Sequence, residues 1–178
     1  MKRILTLSLA AVLLVAAIAG CSGKGGGNAG GSDKQLTPEE RTELYKTSIE
    51  NARDAETNEY MSILTSADDD GASMILELLG LKTEDMTAFA VSASMMNVQA
   101  YGIAAVMPAA GKEDAVLEGL NGFIDLQKQN FQQYLADQYD IANNAKLETL
   151  EDGTILLVMC EGQDAIFDSI KDAVEAGK

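Results

Sequence analysis

Lys146-Leu147-Glu148-Thr149-Leu150-Glu151-Asp152-Gly153-Thr154-Ile155-Leu156-Leu157-Val158-Met159-Cys160 is the stretch that decides the fold. Asp152-Gly153 is a turn dipeptide, because glycine accepts the positive φ that tight hairpins demand. The runs on either side, 146–151 and 154–160, read as strands. Residues 155–160 are apolar at both alternating positions, so neither face of that strand suits water. Such a strand belongs in the middle of a sheet that is covered twice.

Downstream, Ala165, Ile166, Ile170, Ala173 and Val174 recur at helical spacing as far as Gly177. They predict a closing amphipathic helix. Upstream, Phe89, Val91 and Ala93 alternate with Ala88, Ala90 and Ser92, the two-residue rhythm of a strand. Met95-Met96-Asn97 reads as the connection to a second strand that Pro108 and Gly111 end. In that strand Tyr101, Ile103, Ala105 and Met107 share one face, and Ala100, Gly102, Ala104 and Val106 the other. A helix follows over about 112–136, with Val116, Leu120, Phe123, Ile124, Phe131, Tyr134 and Leu135 on its apolar side. Gly119 and Gly122 predict a bend or a close backbone contact within it.

Nearer the start, Thr37-Pro38-Glu39-Glu40 is a helix beginning. Thr37 caps, Pro38 suits the first turn, and Glu40 completes the capping box. Leu44, Tyr45, Ile49 and Ala52 form the stripe of that helix, which should fade near Thr57-Asn58. A second helix is expected from about Ala72 to Leu79, stopped by Gly80. The elements predict an α+β domain over 37–178: an antiparallel four-stranded sheet from two hairpins, about 86–107 and 146–160, with packed helices.

The first 36 residues are of another kind. Met1-Lys2-Arg3 is a basic start, and Ile4 to Ile18 carries no charge, which makes 1–20 a secretory signal rather than a membrane span. Ile18-Ala19-Gly20-Cys21 resembles a bacterial lipobox, which implies cleavage between Gly20 and Cys21 and a lipid on the Cys21 thiol. The alternative is an ordinary signal peptide with a chance cysteine. Residues 21–36 are glycine-rich and read as a flexible tether, reaching roughly 20 Å on average from about 5–6 Å × √n. The expected address is the cell membrane, lipid-anchored, at its outer (extracytoplasmic) face.

Charge narrows the partners. The 178 residues hold 13 Lys+Arg against 28 Asp+Glu. Loss of Lys2 and Arg3 with the signal leaves 11 − 28 = −17. Nucleic acid needs clustered bases and is not expected. Cationic peptides and divalent ions are the charged partners such a chain favours, although acidity also serves solubility alone. The chain has no histidine, which removes Cys–His and Ser–His–Asp catalysis and most zinc sites. No Gly-x-Ser-x-Gly, Ser-x-x-Lys or phosphate-binding glycine loop occurs, so no enzyme and no cofactor are expected. With Cys21 acylated, Cys160 lacks a disulfide partner and reads as a buried, inert thiol.

Two constellations remain. Ser66-Ala67-Asp68-Asp69-Asp70-Gly71 with Glu77 imitates an EF-hand loop, placing Asp68, Asp70 and Glu77 at ligand positions. Ser66 stands where the loop normally begins with an acid, and the plainer reading is a polar loop whose Asp70 caps the next helix. The second is a run of small residues at even positions: Ala88, Ala90, Ser92 and Ser94, then Ala100, Gly102, Ala104 and Val106. It reads either as a bed for the N-terminal helix or as a docking face for a partner protein or a second copy.

The C-terminal half carries a family resemblance. Phe131-Gln132-Gln133-Tyr134-Leu135-Ala136-Asp137-Gln138-Tyr139, Ala145-Lys146, Gly153 and Ile155-Leu156-Leu157-Val158, with Met95-Met96-Asn97-Val98, resemble domain-of-unknown-function family 4358, small lipoproteins of Gram-positive bacteria. The resemblance implies that many members carry an acid near the position of Gly102, where this chain has none. The resemblance implies architecture and location and transfers no site. Two function classes follow. One is a lipid-anchored, non-enzymatic binding or interaction module at the outer face of the membrane, with an unknown protein or peptide partner. The other is a small-ligand or divalent-cation-binding lipoprotein accessory to a transporter.

Overall fold

The computed structural model describes residues 36–177. Helix α1 (Pro38–Ala52) opens as its capping box requires. Glu40 N donates to Thr37 Oγ1 at 3.2 Å, and Thr37 N donates to Glu40 Oε2 at 2.9 Å. It ends at Ala52, short of the expected fading near Thr57-Asn58, because Arg53 turns extended and sends its side chain towards the sheet. Asp54 then caps a separate short helix, α2 (Ala55–Tyr60), through Thr57 N. Helix α3 (Ala72–Leu78) closes in a Schellman arrangement, Leu81 N to Leu76 O and Gly80 N to Glu77 O, with Gly80 at φ 67°.

A 3-10 turn at Thr83–Asp85 leads into β1 (Met86–Ala93), and β2 (Gly102–Pro108) returns antiparallel to it. Helix α4 (Glu113–Phe131) is shorter than the 112–136 expected. A separate α5 (Ala136–Asn143) turns away from it. Strands β3 (Lys146–Thr149) and β4 (Ile155–Met159) form the second hairpin, with Gly153 at φ 88°. Leu150 N bonds Thr154 O, and Gly153 N bonds Leu150 O across the turn. Helix α6 (Gln163–Ala176) ends the fold.

The sheet is antiparallel throughout, in the order β1-β2-β4-β3, so the α+β reading with four strands from two hairpins holds. Of the two inner strands, β4 is buried at every position and β2 over its first five. One face packs against α1 and α6, where Tyr45, Ile49, Phe167, Ile170 and Val174 meet Ile103, Leu156 and Val158. The opposite face packs against α3, α4 and α5, where Leu79, Leu120, Phe123 and Phe131 meet Val106, Ile155, Leu157 and Met159. The two edges are blunted differently. Leu64 forms a two-bond bridge to Val91 outside β1, whereas β3 is short and carries Lys146 and Glu148.

Register overturns the single small-residue face. Ala90 pairs with Ala105 and Val91 with Ala104, so even positions of β1 share a side with odd positions of β2. Ala88, Ala90 and Ser92 lie under α1 and α6. Ala104 and Ala100 lie under α4 and its neighbours, and Gly102 sits against the Phe123 ring. All six residues are buried beneath the chain's own helices. No docking surface forms there. The smallness of Gly102 is used by Phe123, since a Cβ at 102 would lie 2.5 Å from that ring.

Candidate functional site

Both sheet faces are covered by helices, and the roomiest opening described lies at one end of the sheet. There α2 and the connection from Ser94 to Tyr101 enclose a groove of about 770 Å³, within the size range of ligand sites. Tyr60 and Met61 line it from the end of α2, Met95, Met96 and Gln99 from the connection, and Glu161 from beyond β4. Tyr60 is 73% exposed, Met95 and Met96 each 58%, and neighbouring Val98 65%. Large apolar side chains left in water side by side are unusual on a monomer and mark binding surfaces.

The groove is braced from beneath by Arg53, a buried arginine. Its Nη1 donates to Tyr101 Oη at 2.8 Å and to Ser92 Oγ at 3.0 Å. Its Nε and Nη2 both donate to Asn58 Oδ1, at 2.9 and 2.6 Å. Asn58 belongs to α2, and its Nδ2 donates back to Glu50 O of α1. One side chain thus ties the α2 wall to the strand beneath it, and all four of its bonds end on neutral oxygens. Burial raises the Tyr101 hydroxyl above its ordinary pKa, although Arg53 and Ser92 pull the other way. The opposite wall is held by Ser94, whose Oγ accepts from Met96 N at 3.1 Å. Gln138 of α5 adds to this, its Oε1 accepting from Ala100 N at 2.8 Å.

The charges along the groove are of one sign: Asp54, Glu56 and Glu161. Elsewhere several acids are answered by lysines, as in Lys112–Asp85 (2.7 Å), Lys146–Asp164 (2.8 Å) and Lys171–Glu148 (3.2 Å). The Glu56 and Glu161 side chains meet no hydrogen-bonding or ionic partner among the described residues. Asp54 is held below the usual carboxylate range by the backbone and hydroxyl of Thr57, which its capping carboxylate accepts from.

A second polar cluster fastens α1 to the β3–β4 turn, beside a smaller opening of about 410 Å³ lined by Arg41, Asp152 and Met107. Tyr45 and Thr154 share a buried hydroxyl–hydroxyl bond of 2.6 Å, and Arg41 forms an ion pair with Asp152. A shallow depression beside Cys160 is lined by Asp140, Asn144 and Gln163. Gln163 Nε2 donates to Asn144 O there, at 2.8 Å, tying α6 to α5. The Cys160 thiol is free and buried, and burial pushes it up to about 11.

The EF-hand-like segment is organised by the acid between the two candidates. Asp69 Oδ2 accepts from Thr65 N at 2.8 Å and Ser66 N at 2.9 Å, closing the loop on itself. The N-cap of α3 is Gly71 at φ 82°, with no side-chain cap, so Asp70 does not cap. Glycine takes that position because the chain needs a left-handed residue there. No group of three ligating side chains that could hold a metal occurs among the described residues, and Asp68, Asp70 and Glu77 form no common set. Gly20 and Cys21, with the 1–20 signal and the 21–36 tether save Leu36, lie outside the described residues. No described helix is long and apolar enough to cross a membrane.

Sequence patterning does not point to the groove, though it contains two of its signals. Met95-Met96 is an apolar pair in a connection, and Arg53 sits beyond the stripe of α1. No curated protein and no solved structure matches the chain. A family model does match, over residues 59–160, which take in the four strands, α3, α4, α5 and the connection with Met95 and Met96. The chain belongs to the family described as domain of unknown function (DUF4358).

Proposed function

We propose that this chain is a lipid-anchored, extracytoplasmic interaction module that performs no chemistry of its own and holds a protein or peptide partner at the outer face of the cell membrane. The observation that carries the reading is the groove between α2 and the Ser94–Tyr101 connection. It keeps Tyr60, Met95 and Met96 in water, while both faces of the sheet are packed beneath helices. Methionine walls adapt to the shapes of different side chains, which suits recognition more than catalysis. The groove is lined by no histidine, cysteine or lysine to serve as base or nucleophile. The lipobox at Ile18-Ala19-Gly20-Cys21 supports the anchor, and the glycine-rich run after it suits a flexible tether between lipid and domain.

Two measurements test this together. Cys21→Ala should abolish labelling by a fatty-acid probe and leave precursor or released protein. Photo-crosslinking residues placed at Met95 and Met96 in intact cells should give a discrete adduct that the same residue at Lys128 does not. Unchanged lipid labelling would remove the anchor. Adducts equally frequent from Lys128 would remove the groove.

A further inference from the structure

Resting on that reading, we infer that the groove takes a cationic apolar peptide segment, one that presents lysine or arginine beside aliphatic or aromatic anchors. Every charged residue lining it is an acid, Asp54 and Glu56 on the α2 side and Glu161 on the β4 side. Asp85, Asp164 and Glu148 are each paired with a lysine, but Glu56 and Glu161 are left without a partner among the described residues. Between them lie Met61, Met95, Met96 and Tyr60, an apolar floor open to solvent.

Each half of this arrangement favours a different part of the same ligand. Apolar side chains gain by leaving water for the methionines, and flanking positive charges gain from the uncompensated carboxylates. An acidic partner would be repelled by both rims, and a purely polar cation would leave the floor exposed. The groove opens to solvent and has the volume to receive several side chains of a peptide segment. The one buried positive charge nearby, Arg53, has its donors taken by Tyr101, Ser92 and Asn58 and is outnumbered by the three acids that line the groove.

The test uses the full chain in nanodiscs of zwitterionic lipid, with empty nanodiscs as the background. Three fluorescent nonapeptides are compared by anisotropy: alternating lysine and leucine, alternating glutamate and leucine, and alternating lysine and serine. The lysine–leucine peptide should bind at least ten-fold more tightly than either of the others. Met95→Ser with Met96→Ser should weaken it by ten-fold or more. Asp54→Asn, Glu56→Gln and Glu161→Gln together should remove most of its dependence on salt, and asparagine keeps the α2 cap intact. Equal binding of the glutamate peptide, or no loss in the methionine variant, would overturn the inference. Crosslinks from Met95 and Met96 to an acidic segment would also overturn it while leaving the docking role of the groove standing.

Discussion

Helix α4 contains two glycines three residues apart, and they should respond to alanine with opposite signs. At Gly119 a Cβ would lie 2.2 Å from Gly80 O and 2.8 Å from Gly80 C, both backbone atoms. At exposed Gly122 a Cβ would meet nothing within 4 Å. Alanine is favoured over glycine in a helix by about 1 kcal/mol, and both substitutions collect that gain. At 119 the Schellman turn after α3 blocks the new methyl, and its carbonyl cannot rotate away as a side chain could. Helix α4 would have to move by about 1 Å, and overpacking of this kind costs roughly 1–3 kcal/mol, here at the upper end. Gly119→Ala should therefore lose about 2 kcal/mol net, while Gly122→Ala gains about 0.5–1 kcal/mol. At roughly 2–4 °C per kcal/mol for a domain of this size, the first should melt about 4–8 °C lower and the second a few degrees higher. Thermal melts and urea titrations of the two variants measure both. A Gly119→Ala protein as stable as the parent would refute the backbone contact, and equal losses at both sites would show that helix continuity, not space, is at stake.

Three further outcomes follow from the buried polar groups. Arg53→Met should cost about 2–3 kcal/mol by stranding the Tyr101 and Ser92 hydroxyls, and adding Tyr101→Phe and Ser92→Ala should restore part of it; strictly additive losses in urea would contradict this. Burial raises the Asp152 carboxyl, but the bonds it accepts from Thr154 and Arg41 outweigh that and hold it below the usual carboxylate range. A group depressed in the folded state adds stability above its unfolded pKa, about 3.9, that is lost as pH falls through its folded value. Asp152→Asn should thus flatten the acid limb of a melting-temperature profile below about pH 4, and an unaltered limb would count against the pair. Cys160, pushed up to about 11, should be only about 0.1% thiolate at pH 8, so a thiol reagent should react at least 100-fold more slowly in the native state than in urea. Rapid native labelling would show an accessible thiol instead.

Much of the fold is legible in the chain because the chemistry that sets it is local. The 146–160 hairpin needs only Asp152-Gly153 between two strand-forming runs, and β4 is central because both its alternations are apolar. Thr37 with Glu40 sets the start of α1, and Gly80 sets the end of α3, because caps are satisfied within a few residues of the helix they close. Where the fold departs from the pattern, a distant contact is the cause. The 112–136 helix pattern has no glycine or proline between Phe131 and Ala136, so nothing local breaks it. The chain turns there because Phe131 is buried under the sheet and Gln138 is held by Ala100.

Sequence alone therefore determined the strands, most caps, the burial of Cys160 and the lipobox at Cys21 as an expectation. Each depends on neighbours along the chain. Only the tertiary structure decided how the two hairpins join, β2 rather than β1 meeting β4, and the β1–β2 register that turns the small residues of the two strands opposite ways. A one-residue change in register exchanges the faces of a strand, and no single strand carries information about its partner's phase. The groove belongs to the same class. Tyr60, Met95 and Glu161 are far apart in sequence, and they share a surface only because Arg53 reaches across the sheet to hold α2 against it.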